Sequence, residues 1–157
     1  METVYVVKIG GNIIDDAQKL KVFLDVFATI KGSKILVHGG GKLATAMAAQ
    51  LGIEQQLVDG RRITDAETLK VVTMVYAGYI NKNIVAQLQA IGADAMGISG
   101  ADGNIIKAHK RANAGLEYGF VGDVDSVNTK RLYSLLQQGI TPVVCPITHD
   151  GNGQLLN

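Results

Sequence analysis

The sequence predicts an α/β fold built on a mainly parallel sheet, and two observations carry this prediction. Two short β-branched runs, Val4–Ile9 and Ile35–Val37, each end in a glycine turn, and residues with helical apolar spacing follow each turn. The order strand, helix, strand, helix is typical of crossover connections between parallel strands. The chain has 157 residues, of which 47% are hydrophobic, which suits one domain with a sizeable core.

The first strand, Val4–Ile9, is predicted to be buried and to end in the turn Gly10–Gly11. Asp15 or Asp16 is placed to cap the helix that follows, and Gly32 ends that helix. The apolar residues of this helix share one face: Leu20, Phe23, Leu24, Phe27 and Ile30.

The second strand, Ile35–Val37, leads through His38 into the turn Gly39–Gly41. A helix follows directly, with apolar residues at four-residue intervals: Leu43, Met47 and Leu51. Residues 53–64 are polar and short, and Asp59–Gly60 is typical of a hairpin turn.

A long helix is predicted to begin at a capping box, in which the Thr64 hydroxyl and the Glu67 carboxylate each satisfy a free backbone amide. It ends at Gly92, and its apolar residues recur at helical spacing: Leu69, Val72, Tyr76, Ile80, Ile84, Leu88 and Ile91. Further apolar residues widen this surface: Val71, Met74, Val75 and Ala77. A helix that is apolar on two sides is buried on two sides, and a subunit interface is one way to bury it.

The last third of the sequence predicts two more strands of the core. These are Ala95–Ile98 and a final core strand at Pro142–Cys145. Short alternating pieces between residues 104 and 124 are typical of antiparallel hairpins. Asn128 is placed to cap a helix, and residues 154–156 begin a further element.

The composition excludes several classes of protein. Lys and Arg total 15 against 14 Asp and Glu, which gives no broad charged surface for nucleic acid or an anionic membrane. Cys145 is the only cysteine, which excludes an intramolecular disulfide and a CxxC site. The N-terminus lacks the features of a secretory signal, and no apolar run approaches the roughly 18–20 residues that span a bilayer. We therefore expect a cytoplasmic protein without nucleic-acid or membrane partners.

The two glycine turns are candidate anion-binding sites. In open α/β sheets, ligands lie beyond the carboxyl ends of the strands, where glycine allows the backbone to approach a phosphate. Lys8 stands near the end of its strand, where an ammonium group could stabilise a phosphoryl group in transfer. The alternative is a lysine that only reaches solvent. A Walker A motif is excluded, because Leu43 follows Gly41–Lys42 and position 36 is leucine.

A dinucleotide-binding fingerprint is an alternative interpretation of the second turn. Gly39, Gly41 and Ala44 fit the pattern GxGxxG/A, and Asp59 follows at a suitable distance. The segment that would deliver this aspartate, residues 54–58, is too polar for an interior parallel strand. This interpretation also leaves the first glycine turn without a role.

The remaining candidate functional residues are three histidines and two arginines. Arg61 and Arg62 suit bidentate binding of a carboxylate, and a solvated pair in front of a helix is the alternative. His38 is expected to be a hydrogen-bonded structural residue at the strand end. With His109 and His149 it is too scattered in sequence to predict a metal site.

Four ordered motifs resemble the amino-acid kinase family: Val7–Gly11, Val37–Gly41, Gly60–Thr64 and Asn81–Lys82. The similarity continues to the end of the chain, through Gly119–Val124 and Gly153–Asn157. The resemblance implies ATP-dependent phosphorylation of the γ-carboxylate of an N-acyl-L-glutamate, with MgATP as the donor, in arginine biosynthesis. The acyl group is acetyl or succinyl, and Arg61 is a candidate partner for the extra carboxylate of a succinyl group.

The resemblance also implies a role for each candidate residue. Lys8 matches the family lysine that stabilises the transferring phosphoryl group. Gly10, Gly11 and Gly39 match family residues that bind phosphate. Gly40, Gly41 and Arg62 match family residues that bind the acylglutamate.

The fold that the resemblance implies is a three-layer α/β/α sandwich that forms a homodimer through a long helix like residues 65–91. In the family, a strand like Gln154–Asn157 runs into an Asn-Ala-Asp motif and a nucleotide-binding half. We therefore expect residues 1–157 to be the acylglutamate-binding and dimerisation part of such a kinase, inactive or nearly so without the C-terminal half. A sensor that binds an amino-acid derivative without turnover is an alternative on the same scaffold.

Overall fold

The computed structural model describes residues 3–58, 60–112 and 115–157. Its elements follow in chain order: β1 Val4–Ile9, α1 Gly11–Ile14, α2 Ala17–Thr29, β2 Ser33–His38, α3 Gly41–Gln50, β3 Leu57–Val58, β4 Arg61–Arg62, α4 Ala66–Thr73, a π-helical segment Met74–Ile80, α5 Asn81–Ala90, β5 Ala95–Ile98, a 3₁₀ turn Asp102–Asn104, β6 Ile106–Lys110, β7 Gly122–Val127, α6 Thr129–Gln137, β8 Thr141–Val144, β9 Thr148–His149 and β10 Leu155–Leu156.

The central sheet contains four strands in the order β1-β2-β8-β5, and every neighbouring pair is parallel. Side chains along β2 alternate between its two faces, as the pleat requires. Leu36 packs into the larger core with α2, whereas Ile35 packs into a smaller cluster with α6. Helices therefore cover both faces of the sheet, which confirms the predicted α/β/α sandwich with a mainly parallel sheet.

β1 forms as predicted, but the expectation that it is buried is wrong. Only β2 pairs with it among the described strands, so β1 lies at an edge of the sheet. Tyr5 is 47% exposed and Val6 is 64% exposed, whereas Ile9 at the strand end is buried. A β-branched composition does not distinguish an edge strand from a central one.

Two of the predicted helices begin at the caps named from the sequence. The Asp16 carboxylate accepts hydrogen bonds from the amides of Gln18 and Lys19 at the start of α2. Asn128 accepts a bond from the Arg131 amide at the start of α6. Between β1 and α2, the chain forms the short helix α1, which the sequence did not predict.

The predicted capping box at the start of the long helix is wrong by one residue. The cap is Asp65, whose carboxylate accepts a hydrogen bond of 2.7 Å from the Thr68 amide. Thr64 is fully buried and donates its hydroxyl to the Arg62 carbonyl, while Glu67 pairs with Lys70. Thr64 does not cap the helix because its backbone forms hydrogen bonds with Tyr118 and Phe120 instead.

The long helix itself is confirmed, with one change of geometry in its middle. α4 continues into the π-helical segment Met74–Ile80 and then into α5. The Asn81 amide, at the end of this segment, donates to the carbonyl of Tyr76, five residues earlier. π-helical turns are rare and occur often at functional sites.

The predicted hairpins form a second, smaller sheet in the order β10-β9-β6-β7. β6 and β7 are antiparallel, as expected for residues 104–124. β8 forms within the predicted final core strand and is the last strand of the central sheet along the chain. β9 and β10 follow as an antiparallel pair of the second sheet, and β10 lies within the element predicted at residues 154–156. β3 and β4 pair around the predicted turn, in which Asp59 lies outside the described residues.

The larger core lies between the central sheet and the layer formed by α2, α3 and the long helix. Its most buried large side chains include Ile9, Leu24, Phe27, Leu36, Val71, Val72, Ile84, Leu88, Val143 and Ile147. In the part of the chain that the structure describes, no helix is long and apolar enough to cross a membrane.

Candidate functional site

The two glycine turns lie side by side at the carboxyl ends of β1 and β2. The Gly39 amide donates a hydrogen bond of 3.2 Å to the Ile9 carbonyl, which joins one turn to the strand that leads into the other. Lys42, just after the second turn, lies 3.4 Å from the Asn12 amide oxygen and 3.9 Å from the Asp15 carboxylate. The structure therefore brings both predicted anion-binding turns to one edge of the sheet.

Lys8 is exposed and lies over the first turn. Its Nζ atom is 3.7 Å from the position that a Cβ atom on Gly10 would occupy. Gly11 begins α1, so the chain leaves the turn directly into a helix. This position gives the ammonium group access to a ligand that binds against the turn.

The second turn has a backbone conformation that suits glycine. Gly40 has φ 141° and ψ 30°, and Gly41 is the first residue of α3. A Cβ atom on Gly40 would stand 2.1 Å from Cδ1 of Ile80 and 3.6 Å from Cδ1 of Tyr76. Both of these side chains come from the π-helical segment, which therefore forms the floor beneath the turn.

The Arg62 guanidinium lies beside the first turn of α3. Its Nη2 atom donates to the Gly41 carbonyl and to the Thr45 hydroxyl, both at 2.9 Å. Its Nη1 atom donates to the side-chain oxygen of Gln55. The first amides of a helix have no partner within the helix and carry a partial positive charge. Arg62 and the amino end of α3 thus form one positively charged corner.

Three residues that contact Arg62 were not predicted as part of a site from the sequence: Gln55, Thr45 and Tyr76. The Gln55 amide donates a bond of 3.0 Å to the Thr68 hydroxyl and so links Arg62 to α4. Burial raises the pKa of Tyr76, and the positive charge of the nearby Arg62 opposes that rise. The polar sequence around Gln55 indicated only a loop, because the contacts of these residues depend on how the hairpin packs against the rest of the chain.

Comparison with known proteins identifies the family of this chain. The model of the "Amino acid kinase family" matches residues 3–157. The chain belongs to this family. Among its relatives, the acetylglutamate kinase of Cytophaga hutchinsonii is 61% identical over 100% of this chain and 60% of its own length. The acetylglutamate kinase of Parabacteroides distasonis is 57% identical, over 100% of this chain and 62% of its own.

Among solved structures, the fold of this chain resembles that of an N-acetylglutamate synthase from Neisseria gonorrhoeae complexed with coenzyme A and N-acetyl-glutamate. The TM-score is 0.82 at 21% identity, over 99% of this chain and 36% of that one. This similarity shows the fold alone. The chain spans about 60% of the length of the curated relatives described above.

Beneath the second turn of the chain, His38 is buried and hydrogen-bonded, as expected. Its Nδ1 atom lies 2.9 Å from the Gly39 carbonyl, and its Nε2 atom lies 3.1 Å from the Asn81 side-chain nitrogen. In the sequence, Asn81 belongs to the motif Asn81–Lys82, and no role was predicted for it. No sequence signal showed that it reaches the strand ends.

Acid is expected to destabilise the fold through His38. Its pKa is lowered because burial penalises the charged ring, which the hydrogen bond to Gly39 only partly offsets. The unfolded chain, with a histidine pKa near 6.5, therefore takes up a proton at a higher pH than the folded chain. The contribution of neutral His38 to the free energy of unfolding is complete above about pH 6.5. It is lost as the pH falls towards the folded pKa, by at most about 1.4 kcal/mol per pH unit.

Urea unfolding of the parent chain and of His38→Gln between about pH 5 and pH 7.5 measures this effect. The difference between the two chains isolates His38 from the other titrating groups. An identical pH dependence in both would contradict the expectation.

The remaining candidates are Asp59, Arg61 and Cys145. Asp59, needed for the dinucleotide interpretation, and the Arg61 side chain are not among the described residues. Cys145 is buried, and burial raises its pKa to about 11, as expected of a core residue. No group of three or more His, Cys, Asp or Glu side chains within the described ranges could hold a metal ion.

Proposed function

We propose that this chain is the acylglutamate-binding part of a kinase that transfers the γ-phosphoryl group of ATP to the γ-carboxylate of an N-acyl-L-glutamate. The observation that carries the proposal is the Arg62 guanidinium held against the amino end of α3, on the same sheet edge as Lys8. The name acetylglutamate kinase, shared by relatives at 55–61% identity, supports this choice of substrate. In this proposal, residues 1–157 also form the dimerisation part, and a nucleotide-binding half completes the enzyme.

The positively charged corner is the proposed site for the substrate α-carboxylate. Arg62 presents planar N–H donors that match a carboxylate, and free amides at the start of α3 add a second set of donors. Gly40 and Gly41 allow a ligand to approach the backbone closely, because no side chain stands in the way. An acylglutamate bound in this way would extend its γ-carboxylate along the sheet edge.

The first glycine turn is the proposed site of phosphoryl transfer. Lys8 would stabilise the negative charge that develops on the transferring group, while Gly10, Gly11 and Gly39 would contact phosphate oxygens. The described residues offer no ligand set for a metal ion. The proposed Mg²⁺ would therefore arrive with the nucleotide.

The proposed homodimer would form through the long helix. The helix is apolar along much of its length, and two large apolar side chains of its π-helical segment reach solvent: Met74 is 56% exposed and Tyr79 is 67% exposed. Beside Tyr79 lies a groove of about 470 Å³ against Leu20 and Leu43. Exposed apolar surface of this kind is typical of an interaction site. A cytoplasmic location belongs to the same proposal.

Arg62→Ala is expected to weaken binding of N-acetyl-L-glutamate by about ten- to a hundredfold, because one charge-assisted pair contributes about 1.5–3 kcal/mol. Isothermal titration calorimetry of the parent and the variant measures the change. Arg131→Ala is the matched control, since Arg131 is exposed on α6, on the opposite face of the sheet. Equal affinity in the Arg62 variant and the parent would reject the assigned role.

Comparing N-acetyl- and N-succinyl-L-glutamate in the same titrations tests the acyl group. If Arg61 binds the extra carboxylate of a succinyl group, Arg61→Ala should weaken the succinyl compound alone. Equal weakening of both compounds would reject that role. Release of ADP by the complete enzyme distinguishes the kinase from a sensor that binds without turnover.

A further inference from the structure

Asn81 is a buried amide at the junction of the π-helical segment and α5, and only 1% of it is exposed. Its Nδ2 atom donates to the Val143 carbonyl on β8 at 2.9 Å and lies 3.1 Å from Nε2 of His38 on β2. Its Oδ1 atom accepts a bond of 3.1 Å from Lys82, which also donates to the Gly97 carbonyl on β5. One side chain therefore connects the ends of three neighbouring strands.

These bonds determine the protonation of His38. A backbone carbonyl only accepts, so the 2.9 Å contact with the Gly39 carbonyl requires the proton on Nδ1. Nε2 then carries the lone pair, which accepts the N–H of Asn81. Each polar atom has one consistent partner, so the amide orientation and the ring tautomer fix each other.

The packing around Asn81 leaves little room for a different arrangement. A Cβ atom on Gly97 would stand 1.9 Å from Oδ1 of Asn81 and 2.9 Å from Nζ of Lys82. The amide thus lies directly on the backbone of β5. Rotation of the Asn81 side chain would break its bonds to the other two strands.

The same contacts hold the second glycine turn from below. The Gly39 carbonyl is bonded to His38, and the Gly39 amide is bonded to the Ile9 carbonyl. The next residue, Gly40, rests on Ile80, the residue just before Asn81. Both peptide groups of Gly39 are therefore oriented before the chain reaches Gly40 and Gly41.

We propose that Asn81 is a positioning residue for the substrate-binding turn and acts through His38 to orient the Gly39–Gly41 backbone. The proposal deepens the proposed function and rests on it, because the turn is the proposed site for the acylglutamate. Asn81 touches no substrate in this arrangement. Its effect is to hold the turn in the conformation that presents free amides to the ligand.

The tautomer of His38 in the parent chain is the first test, and it needs no ligand. Nitrogen-15 chemical shifts of the imidazole distinguish a proton on Nδ1 from one on Nε2. The expected result above pH 7 is a neutral ring with the proton on Nδ1. A proton on Nε2 would overturn the proposal, because the bond to Gly39 and the bond from Asn81 would both be absent.

Asn81→Asp is the second test, since it keeps the shape of the side chain and removes both donated bonds. We expect its dissociation constant for N-acetyl-L-glutamate to rise at least tenfold, measured well below the unfolding temperature. Amide exchange of residues 40–42 should also become faster. Asn83→Asp makes the same chemical change on the exposed side of α5 and should remain within twofold of the parent. A folded Asn81→Asp chain with parental affinity would overturn the proposal.

If Asn81→Asp does not fold, His38→Gln replaces it, because glutamine can accept from Asn81 but loses the ring donor to Gly39. A tenfold loss of affinity is again expected, and parental affinity would again overturn the proposal. If the parent chain itself does not bind N-acetyl-L-glutamate, the proposed function fails. The tautomer and amide-exchange results would then decide the role of Asn81 by themselves.

Discussion

Gly40→Ala is expected to abolish binding of N-acetyl-L-glutamate and to lower the free energy of unfolding by about 2–5 kcal/mol. Two effects add. A φ of 141° is a conformation that residues with a side chain rarely adopt, and the new methyl group would stand 2.1 Å from Cδ1 of Ile80. Ile80 is buried, so it can move only by disturbing the core beneath the turn. Calorimetric titration and urea unfolding measure the two losses.

Gly52→Ala is the matched control for Gly40. Gly52 also has a positive φ, 71°, but among the described residues no atom lies within 4 Å of the position of a Cβ atom. Only the backbone cost of about 1 kcal/mol is expected there, with ligand affinity unchanged. Equal effects of the two substitutions would show that the contact with Ile80 does not matter.

Gly119→Ala is expected to cause the second large loss, of about 2–5 kcal/mol in the free energy of unfolding. A methyl group on Gly119 would stand 2.2 Å from the Thr64 carbonyl oxygen, and backbone cannot rotate away as a side chain can. The two segments would separate, although Thr64 is bonded on both sides of Gly119, to the Tyr118 carbonyl and the Phe120 amide. Arg62 lies two residues before Thr64, so weaker ligand binding should accompany the loss.

Gly115→Ala separates this steric effect from backbone strain. Gly115 has φ 95°, and a Cβ atom there would meet no atom of the described residues within 4 Å. We expect it to cost about 1–2 kcal/mol and to leave ligand affinity at the parental value. If urea unfolding gives the same loss for both variants, the close approach of Gly119 to Thr64 is not the cause.

The sequence predicted the parts of the fold that depend on local pattern. Asp16 and Asn128 were recognised as caps because a helix start has a local signature. The glycine turns after β1 and β2 were placed correctly for the same reason, and parallel strand order then implied that they meet at one edge. Thr64 was misassigned as a cap because its alternative partners, Tyr118 and Phe120, are distant in sequence.

The contacts of the candidate site could not be predicted in this way. Arg62 was selected from its motif, but its bonds connect β4 to α3, through Gly41 and Thr45, and to the loop that contains Gln55. The exposure of β1 depends on which strands pair beside it, and strand composition does not encode that neighbour. The roles of Asn81 and Gly97 became visible only when β5, β8 and the long helix were in contact.

The strand order of the central sheet has a consequence for how a newly made chain folds. β8 lies between β2 and β5, yet the ribosome makes it after both of them. In the described part of the chain, β5 has no other strand partner, so it cannot join the sheet until residues 141–144 have emerged. Long-range pairing of this kind slows folding and leaves apolar edges open in the meantime. The proposed substrate-binding turn and Asn81, which bonds to β8, therefore take their final form late, when β8 inserts.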